Sequence, residues 1–300
     1  MSTELNLAVS GATGWLGSEL IRYVQSHKDF SRSHIVAITS RNGVLQVEKN
    51  IIELSKFDSL SKNLEIDYYF DFAFVTREKF PQLGPKKYKE VNLKLIEDSV
   101  KFIKSYKPKA VLLASSGAVY KLNRYQHTIQ NTLYSELKQF QEIELSEACK
   151  TVNSNLIISR IFNLAGNGIR KVDTFAIAEF VYRAIHNQDI FIKSDFPVMR
   201  RYCDINQFLS LGFYLSLNKE SITFDTGGVK IEIRELAKLV IDKLNSKSKI
   251  KTIPINKNLE PDNYFSNDFN YENLLEKCLG LKPATIYDQV ESTKNALLRR

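Results

Sequence analysis

Cysteine is scarce. Cys149, Cys203 and Cys278 are the only three in 300 residues, and no Cys-x-x-Cys spacing occurs. This excludes a disulfide framework and a cysteine zinc site, and no metal ligand set is expected. It fits a reducing compartment, with the cytoplasm as the expected location. Long apolar runs are lacking too: no stretch reaches the roughly 20 residues of a membrane-spanning helix, and no membrane partner is expected. The opening "MSTELNLAVSG" has no basic segment followed by an apolar one, so no signal peptide is expected. Internal repeats and low-complexity linkers are also absent. Acidic residues are outnumbered, 34 against 42 basic, for a formal charge of +8. That balance attracts anionic ligands such as phosphates. The basic residues are spread along the chain and no DNA- or RNA-binding module is recognised, so no nucleic-acid partner is expected.

What is present is an alternation. "LNLAVS", "HIVAITS", "NIIEL", "DYYFDFAFV", "KAVLLASS" and "SNLIISRIF" read as apolar strands. Between several of them lie stretches at helical spacing: "WLGSELIRYVQSH", about Asn92 to Tyr106, and 134 to 149. Apolar strands alternating with helices predict a parallel sheet covered on both faces. After about residue 165 the rhythm loosens. Helices are expected near 174–187, after "RRYCDI" to about 217, over "IEIRELAKLVIDKL" and over "TIYDQVESTKNAL", with "SITFDTGG" as a short strand and turn.

"GATGWLG" places Gly11, Gly14 and Gly17 where the first strand turns into the first helix. Glycines there allow a tight turn and close approach to a diphosphate, which the helix N-terminus then attracts. An NAD site ordinarily has an acid at the end of the second strand. That place reads "TSRNG", with no acid; Ser40 and Arg41 could hold a 2′-phosphate, which favours NADP while NAD stays possible. Beside the adenine, Glu53 and Leu54 are both candidates, because the third strand aligns in two registers.

"KAVLLASS" ends at Ser115 and Ser116, at the strand edge where open parallel sheets bind ligands. Tyr134 follows, expected at the start of a helix, with Lys138 four residues on and on the same helix face. A free tyrosine, with a pKa of about 10, exchanges protons reluctantly at neutral pH. A nearby ammonium favours the phenolate, and a serine hydroxyl can polarise a carbonyl during hydride transfer.

Glycine loop, Ser-Ser-x-x-x-Tyr and Tyr-x-x-x-Lys, in this order, resemble an extended short-chain dehydrogenase/reductase, of the type acting on nucleotide-linked sugars. "DYYFDFAFV" resembles the family's fourth strand, with Asp71 and Phe74 replacing its usual residues. "EVNLKLIEDS" resembles the helix opened by an asparagine, here Asn92. "SRIFNLAG", "RRYCDI", "TFDTGG" and "IRELAKLV" match later segments, so the resemblance covers nearly the whole chain. It implies a doubly wound parallel sheet (Rossmann fold), order 3-2-1-4-5-6 plus a further strand, with a smaller mixed α/β C-terminal substrate lobe. The expected division is 1–165 for the dinucleotide, with a return segment of about 200–218, and 166–300 mainly for substrate. "RYCDI" and the next helix are expected to pack on the first domain.

The resemblance also implies roles. Ser116, Tyr134 and Lys138 would be catalytic, Ser116 because it lies four before Tyr120. Gly11, Thr13, Gly14, Trp15, Leu16, Gly17, Ser40, Arg41, Glu53, Leu54, Ala73, Ala114, Tyr134 and Lys138 would meet the cofactor. Thr76, Ser116, Asn163 and Arg200 would meet a nucleotide-sugar, the last two at its diphosphate. Arg170, Lys171, Lys193 and Arg201 could add positive potential. Gly117 and Ala118 stand where 4,6-dehydratases carry Asp-Glu, and Ala118 where a GDP-fucose synthase carries cysteine, so neither chemistry is expected. The expected activity is NADPH-dependent reduction of a keto sugar. The alternatives are an NAD-dependent 4-epimerase and, of another class, a non-catalytic NADP-binding regulator. Helices 92–106 and 134–149 resemble those that pair in relatives, so a homodimer is expected.

Overall fold

The structure is a computed structural model that describes residues 4–47, 50–121, 128–256 and 258–299. The described chain divides into two compact units: residues 4–120, 128–160 and 209–224 in one, and 121, 161–208 and 225–299 in the other.

The first unit opens with β1 (Asn6–Ser10) and α1 (Trp15–Ser26), then β2 (His34–Ile38), β3 (Gly43–Val47) and β4 (Asn50–Ser55). β5 (Tyr68–Asp71), α2 (Phe80–Tyr106), β6 (Ala110–Ser116), α3 (Ile129–Val152) and β7 (Asn155–Ile161) follow. β5 and β6 are buried at every position, as the unbroken apolar runs require of strands covered on both faces. The sheet order β4-β2-β1-β5-β6-β7 is the expected 3-2-1-4-5-6. β1 pairs in parallel with both β2 and β5, which places the glycine turn at the centre of the carboxyl edge.

α2 and α3 cover one face. Ile96, Phe102 and Ile103 from α2, and Leu145, Ala148 and Cys149 from α3, pack with Val36, Ile38, Tyr69, Val111 and Leu113 of the strands. On the other face Phe213 stacks on Phe70 and meets the edges of Tyr23 and Phe30, with ring centroids 5.1–5.9 Å apart. Gly212 lets that helix come close: a Cβ there would lie 2.6 Å from Leu112 Cδ2.

Three local features differ from expectation. β3 is an additional edge strand, antiparallel to β4, so β2 reaches its parallel neighbour β4 through a hairpin instead of a helix. α2 starts at Phe80, ahead of Asn92; its break at Gly84 (φ 70°), followed by Pro85, interrupts the helical pattern in the sequence. α3 starts at Ile129, because the Thr128 hydroxyl accepts from the Asn131 N–H and caps it. Tyr134 therefore sits in the second turn, not at the helix start.

The second unit contains β8 (Asn163–Ala165), α4 (Ala176–Ile185), β9 (Ile190–Ile192) and β10 (Val198–Asp204). α5 (Ile205–Leu217) runs from it into the first unit, where β11 (Ile222–Asp225) extends the large sheet beside β7, as the further strand expected there. The chain then continues through β12 (Val229–Glu232), α6 (Ile233–Lys243), β13 (Ile250–Thr252), β14 (Asp262–Tyr264), α7 (Asn270–Leu279) and α8 (Ile286–Leu298). β10 is the hub of a four-stranded sheet: β12 is antiparallel to it, and β14 and β8 are parallel. "RYCDI" was expected on the first domain, but β10 belongs to the second unit, where it pairs with β8, β12 and β14. The returning segment is 209–224, displaced from the expected 200–218. Its side chains explain this: Tyr202 and Cys203 are buried, and Arg201 is tied to oxygens of Gly228, Ser266, Asp268 and Glu272.

Candidate active site

The glycine turn is tight because nothing larger fits. Gly11 has φ 64°, and a Cβ there would lie 2.7 Å from the Phe72 carbonyl oxygen. At Gly17 a Cβ would lie 2.5 Å from Gly11 O and 2.7 Å from Ala12 Cα. Both obstacles are backbone, so the loop folds onto the first turn of α1. Gly14 is the helix N-cap and offers no side chain to the helix terminus. The first turn of α1 thus has no side-chain cap of its own, and helix N-termini attract phosphates. Thr13 and Gly14 are exposed, while Trp15 and Leu16 are half-buried. No carboxylate follows β2. The Thr39 hydroxyl donates to Arg41 O at 2.5 Å, closing a turn that leaves Ser40 and Arg41 exposed. Of the two adenine candidates, Leu54 is buried opposite Ala37 of β2, and Glu53 is exposed opposite Val44 of β3.

Ser115 and Ser116 point to opposite sides of β6, as neighbours on a strand do. Ser115 is committed to a half-buried ion pair: its hydroxyl donates to Glu142 Oε1 at 2.5 Å, and Arg160 grips Glu142 with bonds of 3.0 and 2.7 Å. Ser116 ends the strand, and its Oγ accepts the Ala118 N–H at 3.2 Å. The Ser135 hydroxyl donates to Ala118 O, and the Gln139 amide to Val119 O. These bonds lock the turn after Ser116 onto the α3 segment that carries Tyr134.

Lys138 is buried. Its Nζ donates to Ala114 O at 2.8 Å and to Gln141 Oε1 at 2.9 Å. Burial pulls its pKa down from 10.5 to about 7, while Asp71 and Glu142 act to raise it. The ammonium is thus balanced between charged and neutral near physiological pH.

Two neighbours of the pair were not singled out for the site in the sequence. The Phe74 ring centroid lies 3.9 Å from Lys138 Nζ, and the ring meets the Tyr134 ring edge-on at 5.6 Å, so it touches both members of the pair. The Arg77 guanidinium sits 5.3 Å from the Tyr134 ring, a second cation beside the phenol. Both come from the segment after β5, which Asn92 fixes by accepting from Val75 N and donating to Val75 O. Ala73 begins that segment, where its N–H donates to Ser10 Oγ. Thr76 lies further along, at the N-cap of the short turn that carries Arg77. Their proximity to Tyr134 depends on a loop path that no periodicity reveals.

In the second unit, the Asn163 amide donates to Arg201 O at 3.3 Å. Arg200 pairs with Asp262 Oδ2 at 2.7 Å and also donates to the Asp262 carbonyl. Arg201, expected as a source of positive potential, is instead a buried structural cation paired with Glu272. Arg170 and Lys171 line an open surface depression with Tyr182.

No curated protein matches the sequence. Solved structures do. UDP-N-acetylglucosamine 4-epimerase from Methanobrevibacter ruminantium, in complex with UDP-N-acetylmuramic acid, superposes with a TM-score of 0.79 at 16% identity, over 100% of this chain and 99% of its own. UDP-glucose 4-epimerase from Stenotrophomonas maltophila, with NAD and a formylated UDP-arabinopyranose, gives 0.76 at 16%, over 99% and 98%. RMD from Pseudomonas aeruginosa, complexed with NADPH, gives 0.73 at 20%, over 97% and 98%. At such identities these likenesses concern the fold. The family model for NAD-dependent epimerases and dehydratases matches residues 7–220, from β1 to just past α5. The chain therefore belongs to the NAD-dependent epimerase/dehydratase family and is an enzyme of the extended short-chain dehydrogenase/reductase type.

Proposed function

We propose that this enzyme reduces a keto group on a nucleotide-linked sugar, using NADPH. The observation that carries the reading is the Tyr134–Lys138 pair on α3, flanked by Arg77 and anchored to the end of β6 where Ser116 stands. Arg77 beside the Tyr134 ring, with Lys138 one turn on along α3, would favour the phenolate left after proton transfer. NADPH, when bound, supplies the hydride. Tyr134 gives its proton to the carbonyl oxygen, Ser116 donates a hydrogen bond to that oxygen, and Lys138 stabilises the phenolate. Ser40 and Arg41, exposed where an NAD site would carry an acid, are assigned to the 2′-phosphate. Gly11, Gly14 and Gly17 are assigned to the diphosphate. The UDP-sugars named with two of the structural relatives agree with a nucleotide-sugar substrate. Asn163 and Arg200 are assigned to its diphosphate, which requires Arg200 to turn away from Asp262. Cys149, Cys203 and Cys278 form no disulfide, which agrees with a cytoplasmic protein.

Mass spectrometry of the protein as purified, with NADPH and NADH titrations, tests the reading. The expected result is no retained NAD and tighter binding of NADPH. Tightly retained NAD would replace the reductase with a 4-epimerase, which oxidises and re-reduces one carbon. Binding of NADP with no turnover on any keto sugar would leave a regulator.

A further inference from the structure

The first unit holds a chain of buried polar groups where its core would ordinarily be apolar. Ser10, Tyr69, Asp71, Ser99, Lys138 and Gln141 are all buried. Asp71, at the end of β5, is their centre. Its Oδ1 accepts from the hydroxyls of Ser10 at 2.6 Å, Tyr69 at 3.0 Å and Ser99 at 3.1 Å. Its Oδ2 accepts from Gln141 Nε2 at 3.1 Å. That last bond fixes the Gln141 amide: with Nε2 spent on Asp71, Oε1 must face Lys138 Nζ, 2.9 Å away. β1, β5, α2 and α3 each contribute to the arrangement.

A buried carboxylate is costly, and a well-packed apolar residue would ordinarily serve stability as well or better. Its presence here is explained by what lies beyond Gln141. An ammonium sealed from water loses its proton unless a negative charge faces it. We propose that Asp71 is the positioning residue of the Tyr134–Lys138 pair, keeping the lysine charged and aimed through Gln141. The proposal rests on the catalytic reading of that pair.

Of the other groups around Lys138, Glu142 on α3 also acts to hold its proton, after Asp71. Its carboxylate, however, is shared with Arg160 of β7 and the Ser115 hydroxyl of β6. Tyr134 and Cys149 on α3, Tyr69 on β5 and Tyr88 on α2 are weak acids. Arg77 is a further cation. β1 contributes the uncharged Ser10. Burial pushes the Asp71 carboxyl up, but its three hydroxyl donors and Lys138 act against that and favour the ionised form.

The test is NMR titration of isotope-labelled lysine side chains in the intact protein, without coenzyme. The Lys138 signal is identified by its loss in Lys138→Met. Asp71→Asn removes the charge with little change of shape, and should move the Lys138 midpoint down by about one pH unit or more. Gln141→Leu keeps both charges but cuts the bridge. It should also lower the midpoint, and it carries the test if Asp71→Asn does not fold. Leu145→Val trims the same core without touching the chain. It should lower the melting temperature and leave the midpoint in place, which a merely structural role for Asp71 would also predict of Asp71→Asn. A midpoint unmoved in both Asp71→Asn and Gln141→Leu overturns the part given to Asp71 alone. Wild-type protein that binds neither NADPH nor NADH overturns the catalytic reading, and with it the role.

Discussion

Lys138 carries a stability signature of its own. Its folded pKa of about 7 lies below the unfolded value of 10.5, so between those values the unfolded chain binds more protons. Its burial penalty is therefore full below pH 7 and is relieved as pH rises toward 10.5. The group should add a positive slope of up to about 1.4 kcal/mol per pH unit in that window. Urea unfolding across pH should show this slope in the wild type and lose it in Lys138→Met. At the coenzyme, Arg41→Glu should weaken NADPH binding about tenfold or more, roughly 1.4 kcal/mol, and leave NADH binding little changed. The Tyr134–Lys138 spacing was legible because i, i+4 places two residues on one helix face whatever surrounds them. Asp71 and Phe74 were visible only as departures from a pattern. Arg77 gave no signal, because it meets Tyr134 through a loop.

At the scale of elements, the glycine turn and the start of α3 make separate claims. Gly17→Ala would drive a methyl into the backbone of Gly11 and Ala12, so α1 must move off the loop. It should cost about 1–3 kcal/mol and abolish tight NADPH binding, read by thermal unfolding and by titration. Thr128→Ala removes the α3 cap and should cost about 1 kcal/mol. β1, β5 and β6 were readable because strands buried on both faces have no polar alternation to obscure them. β3 was not: "GVLQV" is short, and three of its five residues are solvent-exposed on an edge. The start of α2 was hidden by Gly84–Pro85, which reads as a stop although the helix resumes at once.

For the whole molecule, the alternation announced the doubly wound sheet of the first unit, while the crossing back lies at 209–224 and not at the expected 200–218. β10 and α5 are adjacent in sequence, and only contacts reveal that the strand stays in the second unit while most of the helix leaves it. Assembly is a proposal at this scale. Ile129, Phe140 and Ile143 of α3 are exposed, with Ile143 59% accessible, an apolar surface suited to a second copy of the chain. Native mass spectrometry should find a homodimer, and Phe140→Glu should shift it to monomer. The central claim is the phenol's role as proton donor, and Tyr134→Phe tests it most directly. NADPH affinity is measured by titration, and turnover by NADPH oxidation with a UDP-linked 4-keto sugar. The account predicts unchanged affinity and a turnover lower by about a hundredfold or more; a variant that turns over as fast as the wild type would contradict it.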